Sequence, residues 1–301
     1  MIAQTLKQAL RKPFRKASII GRKISGETVK IEGVRIKTPE ISGLICTLTE
    51  TWMISLLKQL LKKQPGAFLD VGINLGQTLI KVKGLEPDRQ YVGFEPNPTC
   101  VFYAKELVKK NRFKNCTILP VGLFEQDSLL SLECIRDEEF DSSASLIQGF
   151  RPTHKVYRRI PVPVFRFESV AHMVDVDKTA IVKIDVEGAE LEVVKSLYQL
   201  FETQRPLCLL EVLPVGSAAE NPTRQARQTE LERLFQDLHY RWFRVVKKGN
   251  DTFTGLKEIE SIEIHSDLSL CDYVVVPEES VSIVRSMVVE AIKARTRVSV
   301  G

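Results

Sequence analysis

The stretch AFLDVGINLGQT, residues 67–78, decides how this chain folds. Apolar Ala67, Phe68, Leu69 and Val71 surround a single aspartate, Asp70, and the run then breaks into Gly72, Asn74 and Gly76. That order describes a short buried strand delivering a carboxylate into a glycine-broken turn, with a helix to follow. Downstream come YVGFEP (91–96), CTILPVG (116–122), AIVKIDVEG (180–188) and PLCLLEVL (206–213), each apolar and each ending near a polar, glycine or proline residue. Helical patterns fit between these strands, over 76–83, 98–111, 189–203 and 226–239. Such alternation specifies βαβ units: an α/β fold with a mostly parallel sheet and helices on both faces. Two late runs, RWFRVVKK (241–248) and CDYVVVP (271–277), close the sheet as an antiparallel pair.

Upstream, a helix spans about Glu50 to Lys63, with Trp52, Leu56, Leu57 and Leu60 on one face, and Pro65 and Gly66 stop it. ETVKIEGVRIKT (27–38) alternates like strands. Between the third and fourth sheet strands the order is interrupted. Residues 125–168 hold LLSLEC, the polar RDEEFDSSAS and the extended RRIPVPVFRF, which read as a hairpin or lid over the sheet edge. Long excursions of this kind tend to be functional or mobile.

Composition narrows the function classes. At 301 residues and 44% hydrophobic the chain has an ordinary globular core. It lacks both an apolar run of about 18 residues and a signal-like N-terminus, so a cytosolic location is expected. The six cysteines, Cys46, Cys100, Cys116, Cys134, Cys208 and Cys271, never form a CxxC pair, and the four histidines lack ligand spacing. Buried thiols are expected, with neither a metal knuckle nor a disulfide framework.

The formal charge of +5 is concentrated in residues 1–30, which carry eight Lys/Arg against Glu27, so the rest of the chain is net acidic. Ile2, Leu6, Leu10 and Phe14 fall at helical spacing in this arm, a pattern that suits peripheral contact with an anionic membrane, although Pro13 interrupts it. No aromatic interleaving marks a single-stranded nucleic-acid surface, so no nucleic-acid partner is expected.

In an open α/β sheet, ligands gather outside the carboxyl ends of the strands. Here those ends carry Asp70 with Gly72, Glu95 with Pro96 and Asn97, Val121 with Gly122, Asp185 with Glu187 and Gly188, and Glu211. The glycines bracketing Asn74 form GxNxG, and the GxGxxG fingerprint that cradles a pyrophosphate is missing. Glu95, at the end of the second strand, is placed to accept hydrogen bonds from both hydroxyls of a ribose. The site therefore suits a nucleoside without a pyrophosphate and with a cationic amine. Asp185 and Glu187 end one strand and open a helix, which points them at the reacting end.

FLDVGINLGQT, VGFEPNP, LPVGLF and VKIDVEGAELEVVKS together resemble the successive motifs of the FkbM family of S-adenosylmethionine-dependent methyltransferases, over about residues 67–213. Ile73, Leu75 and Ser196 depart from residues usual in that family. The resemblance implies a class I methyltransferase (Rossmann-like) fold, S-adenosyl-L-methionine as cofactor, and commonly O-methylation of hydroxyls on sugars, glycolipids or polyketide-like molecules, with a small-molecule or glycan acceptor as partner. It assigns Asp70, Gly72, Asn74 and Gly76 to the methionine end of the cofactor, Glu95 to its ribose, and Pro96, Asn97, Val121 and Gly122 to its adenine. Asp185 and Glu187 would face the transferred methyl and the acceptor. The general base is sought among Glu187, Asp185 and, from the excursion, His154.

Residues 1–48 then form an N-terminal arm with irregular strands, 49–280 the methyltransferase domain with its 125–168 excursion, and 281–301 a C-terminal helix or tail. Asp141 to Ser145 are candidates for hydrogen bonds to a polyhydroxylated acceptor. Asp185, Glu187 and Glu211 also suit a Mg²⁺-assisted variant through oxygen ligands. Rival readings are an NAD-dependent oxidoreductase on the same fold, disfavoured by the missing GxGxxG, and a noncatalytic nucleoside-binding scaffold.

Overall fold

The computed structural model describes residues 26–285 apart from 139, 175, 177 and 250. The apolar stripe of the basic arm, residues 1–25, and the tail beyond 285 lie outside the described residues. The chain opens with an antiparallel hairpin of β1 (Gly26–Ile31) and β2 (Val34–Pro39), turned by Glu32 and Gly33. Both turn residues have positive φ, as tight hairpin turns require. Helix α1 (Trp52–Lys63) follows and buries Trp52, Met53, Leu56, Leu57, Leu60 and Leu61.

The core then alternates as its sequence dictates. It runs β3 (Ala67–Val71), α2 (Gln77–Leu85), β4 (Tyr91–Phe94), α3 (Pro98–Asn111) and β5 (Cys116–Leu119). The excursion contributes β6 (Gly122–Leu123), β7 (Ser128–Cys134), β8 (Arg158–Phe165) and the one-turn α4 (Phe167–Val170). The chain returns through β9 (Thr179–Ile184), α5 (Glu190–Ser196), α6 (Tyr198–Gln204), β10 (Leu207–Glu211), α7 (Pro222–Asp237), β11 (Tyr240–Lys248), β12 (Thr252–Ile259) and β13 (Asp272–Pro277).

Eight strands make one sheet in the order β12-β11-β13-β10-β9-β3-β4-β5. The five from β10 to β5 are parallel, and β13, β11 and β12 extend the sheet antiparallel. Alternate side chains of each central strand feed two separate cores. Phe68, Ile181 and Leu209 pack with α1, α2 and α3, whereas Leu69, Val182 and Leu210 pack with α5, α6 and α7. Burial on both faces is why these strands read as near-continuous apolar runs. The chain order reverses between β3 and β9, which opens a crevice above their carboxyl ends.

Four differences from the sequence reading have local causes. CTILPVG is two strands, because Pro120 cannot donate to the ladder and the chain leaves the main sheet there. The helix expected over 189–203 breaks at Leu197 into α5 and α6. Helix α7 starts at Pro222, earlier than 226, because its polar first turn shows no apolar period. Strand β12 has no counterpart in the sequence reading, since this edge strand buries two adjacent residues, Gly255 and Leu256, and shows no alternating apolar pattern. The 125–168 excursion is the expected hairpin, in a small sheet of order β6-β8-β7. Among the described residues no helix is long and apolar enough to cross a membrane.

Candidate active site

A cavity of about 320 Å³ lies outside the carboxyl ends of β3, β4, β9 and β10. The turn after β3 supplies Gly72, Ile73 and Asn74, and the turn after β4 supplies Glu95, Pro96 and Asn97. Gly122 and Leu123 close one side, while Lys183, Asp185, Glu187 and Glu211 line the opposite end. Thr49 and Glu50 reach it from the loop before α1, and Asp141, Ser142, Ala144 and Leu146 cover it from the excursion.

Glu95 organises the first end. Its Oε2 accepts from the Asn74 N–H and its Oε1 from the Asn97 N–H, both at 2.8 Å, so one buried carboxylate ties together the two turns that form the cavity wall. Burial raises its pKa to about 7 despite those two amides, which favour the charged form. Asn74 sits at φ +50 and uses its Oδ1 to accept from the Leu75 N–H. Asn97 caps α3 by accepting from the Thr99 N–H at 3.0 Å. Gly72 has φ +88, and a Cβ there would stand 1.9 Å from the Asp185 carbonyl oxygen. The β3 turn can approach the β9 turn this closely only with glycine at that position.

At the other end, Lys183 Nζ lies 3.0 Å from Asp185 Oδ2 and 3.5 Å from Asp70 Oδ1. Burial opposes the charge of Asp185, but Lys183 and a hydrogen bond from Glu211 outweigh it and hold the Asp185 pKa low. Glu187 behaves oppositely. Burial and the neighbouring Asp185 raise it to about 7, and its ion pair with Arg151 of the excursion offsets only part of that. Two carboxylates side by side are thus driven apart in proton affinity, a common arrangement at reaction centres. Glu211 is pushed up to about 10, first by Asp185 and then by burial.

The cavity gathers nine of the residues expected there: Gly72, Asn74, Glu95, Pro96, Asn97, Gly122, Asp185, Glu187 and Glu211. Four others stand elsewhere. Asp70 is fully buried beneath the floor, taking a hydrogen bond from Tyr91 and pairing with Lys183, its register partner across β3 and β9. It lies inside β3, two residues below the rim that begins at Gly72, so its carboxylate is covered and supports Lys183 rather than lining the cavity. Gly76 caps α2 against Leu107, and Val121 packs on the core beside Gly122.

His154 stands outside this cavity as well. Residues 142–147 form a thin wall: Ser142, Ala144 and Leu146 face the main cavity, while Ser143, Ser145 and Ile147 face a second one of about 480 Å³, and His154 lines the second. Asp141 spends both oxygens on the backbone, accepting from Ile135, Arg136 and Ser143 N–H groups, so it shapes the excursion. Among the described residues no group of three or more His, Cys, Asp or Glu is arranged to hold a metal, and the Mg²⁺ variant finds no support in the geometry.

Lys183 and Arg151 went unnoticed in the sequence. The signal for Lys183 was a lysine inside an apolar strand two residues before Asp185, hence on the same face. Arg151 offered none, because its contact with Glu187 spans 36 positions.

The methyltransferase FkbM domain model matches residues 70–242, more than half of the chain and all of the central sheet from β4 to β10. The chain belongs to the FkbM methyltransferase family. Among solved structures, FkbM from Methylobacillus flagellatus KT is 12% identical with a TM-score of 0.42, covering 70% of this chain and 43% of that one. This chain therefore spans less than half of that protein. Aeropyrum pernix fibrillarin with natively bound S-adenosyl-L-methionine is 13% identical, covering 86% and 84%, with a TM-score of 0.43. The O-methyltransferase from Bacillus cereus in complex with SAH is 10% identical, covering 75% and 80%, also with a TM-score of 0.43. No curated protein matches.

The FkbM family cofactor is S-adenosyl-L-methionine, and the residues present fit it. Glu95 retains lone pairs beyond its two amide contacts for a diol, and the Gly72 turn leaves backbone open to the cavity.

Proposed function

We propose that this FkbM-family methyltransferase methylates a hydroxyl of a sugar, glycolipid or polyketide-like small molecule. The observation that carries the reading is Glu187, a cavity carboxylate raised to about 7, beside an ionised Asp185. A base of that strength ionises near neutral pH and still retains proton affinity, which suits deprotonation of an alcohol.

Glu95, Asn74, Asn97 and Gly122 would hold the nucleoside of the cofactor, whose sulfonium supplies an already activated methyl group. Asp185, fixed by Lys183, would accept a hydrogen bond from a neighbouring hydroxyl of the acceptor and so orient it, and Glu187 would take the proton of the reacting hydroxyl as its oxygen bonds the methyl carbon and that carbon leaves the sulfonium sulfur. Alignment is worth up to about 7 to 11 kcal/mol and a general base about 10² to 10⁴ in rate, so positioning by the cavity walls dominates. Polar Ser142 and the carboxylates at the rim favour an acceptor with several hydroxyls.

Calorimetric titration of S-adenosylhomocysteine into wild type and Glu95→Ala, with NADH as a control, tests the cofactor. A screen of hydroxylated acceptors with labelled S-adenosylmethionine then tests the reaction. The expected result is binding lost in the variant, no NADH binding, and label on an acceptor oxygen. Label confined to nitrogen would overturn the hydroxyl reading.

A further inference from the structure

Glu211 occupies a place in the charge pattern that the methyl-transfer reading does not use. Strands β9, β10 and β13 lie side by side, and their register sets Asp185, Glu211 and Asp272 in a row across them. A lysine closes each end of this row. Lys183 Nζ is 3.0 Å from Asp185, and Lys247, held over the Trp52 ring, pairs with Asp272. The other carboxylates facing the row also have cations: Glu50 has Lys81 at 3.4 Å, Glu187 has Arg151, and Asp70 has Lys183 with the Tyr91 hydroxyl. Glu211 alone in the row has none among the described residues. The largest charges acting on it, from Asp185, Asp272, Glu187 and Glu50, are all negative.

Two charged carboxylates in hydrogen-bond contact repel, and burial strengthens the repulsion. Asp185 and Glu211 are lateral neighbours on β9 and β10 and line the same end of the cavity, and with no cation on Glu211 the pair is accommodated by a proton between them. We propose that Glu211 is a neutral carboxylic acid at physiological pH that donates its proton to Asp185, and is thereby a positioning residue for the acceptor end of the cavity. Lys183 on one side and the Glu211 O–H on the other then leave the Asp185 carboxylate one direction in which to accept a third hydrogen bond, into the cavity that both line. The proton assignment stands on the fold; its consequence for the acceptor rests on the proposed methyl transfer.

Two measurements need no turnover. In the full chain labelled with carbon-13 at glutamate Cδ, one carboxyl signal, absent in Glu211→Gln, should remain protonated at pH 8 and shift only near pH 10. In chemical denaturation the folded wild type holds one proton that its unfolded chain has lost, so stability falls as pH rises towards the folded pKa. Between pH 7.5 and 9 the unfolding constant of wild type should rise by up to about tenfold per pH unit relative to Glu211→Gln.

Under the methyl-transfer reading, Glu211→Gln, which keeps a neutral donor, should restore at least tenfold of the turnover lost in Glu211→Ala, mainly in kcat. A Glu211 signal already ionised at pH 7 would overturn the proposal. So would equal pH slopes for the two proteins, or saturable Mn²⁺ binding that Glu211→Gln abolishes. Failure of the turnover arm alone, with the proton found in place, would strike the methyl-transfer reading instead.

Discussion

Glu187 and Glu95 are chemically similar carboxylates whose surroundings give them different work. Glu95 spends an oxygen on each of two backbone amides and so holds the cavity wall, whereas Glu187 pairs with Arg151 in the field of Asp185 and Asp141. If Glu187 is the base it must be ionised, so turnover should rise with pH through about 7. Glu187→Gln should flatten that limb and lower the rate by about 10² to 10⁴. Arg151 favours the charged form, so Arg151→Ala should move the limb to higher pH, and a limb left in place would dissociate it from Glu187. Gly72→Ala combines a φ of +88 with a backbone collision at 1.9 Å, so urea denaturation should show a loss of more than about 2 kcal/mol. Ser196 has a role of its own: its Oγ accepts from the Phe167 N–H and ties α5 to the end of the excursion.

The excursion is an element whose attachment can be tested apart from the sheet. Phe150 carries it, packed on Gly188 with the Arg224 guanidinium 4.2 Å from its ring centroid. Arg224 also donates from Nη2 to the Phe150 carbonyl at 2.7 Å and from Nη1 to the Pro214 carbonyl at 3.0 Å. It therefore joins the excursion to the loop before α7 by two hydrogen bonds and a cation–π contact, each worth about 1 kcal/mol. Arg224→Ala should speed proteolytic cleavage within 148–157 several-fold while the unfolding midpoint of the whole chain stays nearly constant, because the two cores do not involve this contact. Equal cleavage rates would mean that the hairpin β7–β8 holds the excursion without Phe150. This attachment bears on the site, because Arg151, the next residue, is the cation on Glu187.

Across the whole molecule, buried carboxyls set the response to pH. Glu95, Glu187 and Glu190 are all raised to about 7, chiefly by burial, so the folded chain keeps protons that the unfolded chain has already released. Their stabilising contribution is complete at acid pH, below their unfolded values, and is lost as pH rises through about 7. His265, lowered by burial, acts the other way but as a single group. The urea midpoint should therefore fall between pH 5 and pH 7.5, and a rising midpoint would contradict these assignments. The sequence by itself determined the alternation of strands and helices, the order of the motifs and the carboxylates at the strand ends, because periodicity and glycine-broken turns are local properties of the chain. It also determined the family, carried by VKIDVEGAELEVVKS. Only the tertiary structure decided which of those carboxylates face the cavity. Asp70 and Glu95 look alike at the ends of successive strands, yet Asp70 lies inside β3 opposite Lys183, where the neighbouring strands cover it, and Glu95 lies one residue past β4 at the cavity wall. Arg151, Arg224 and the row through Glu211 join residues far apart in sequence, and such pairings exist only once the sheet has brought their strands together.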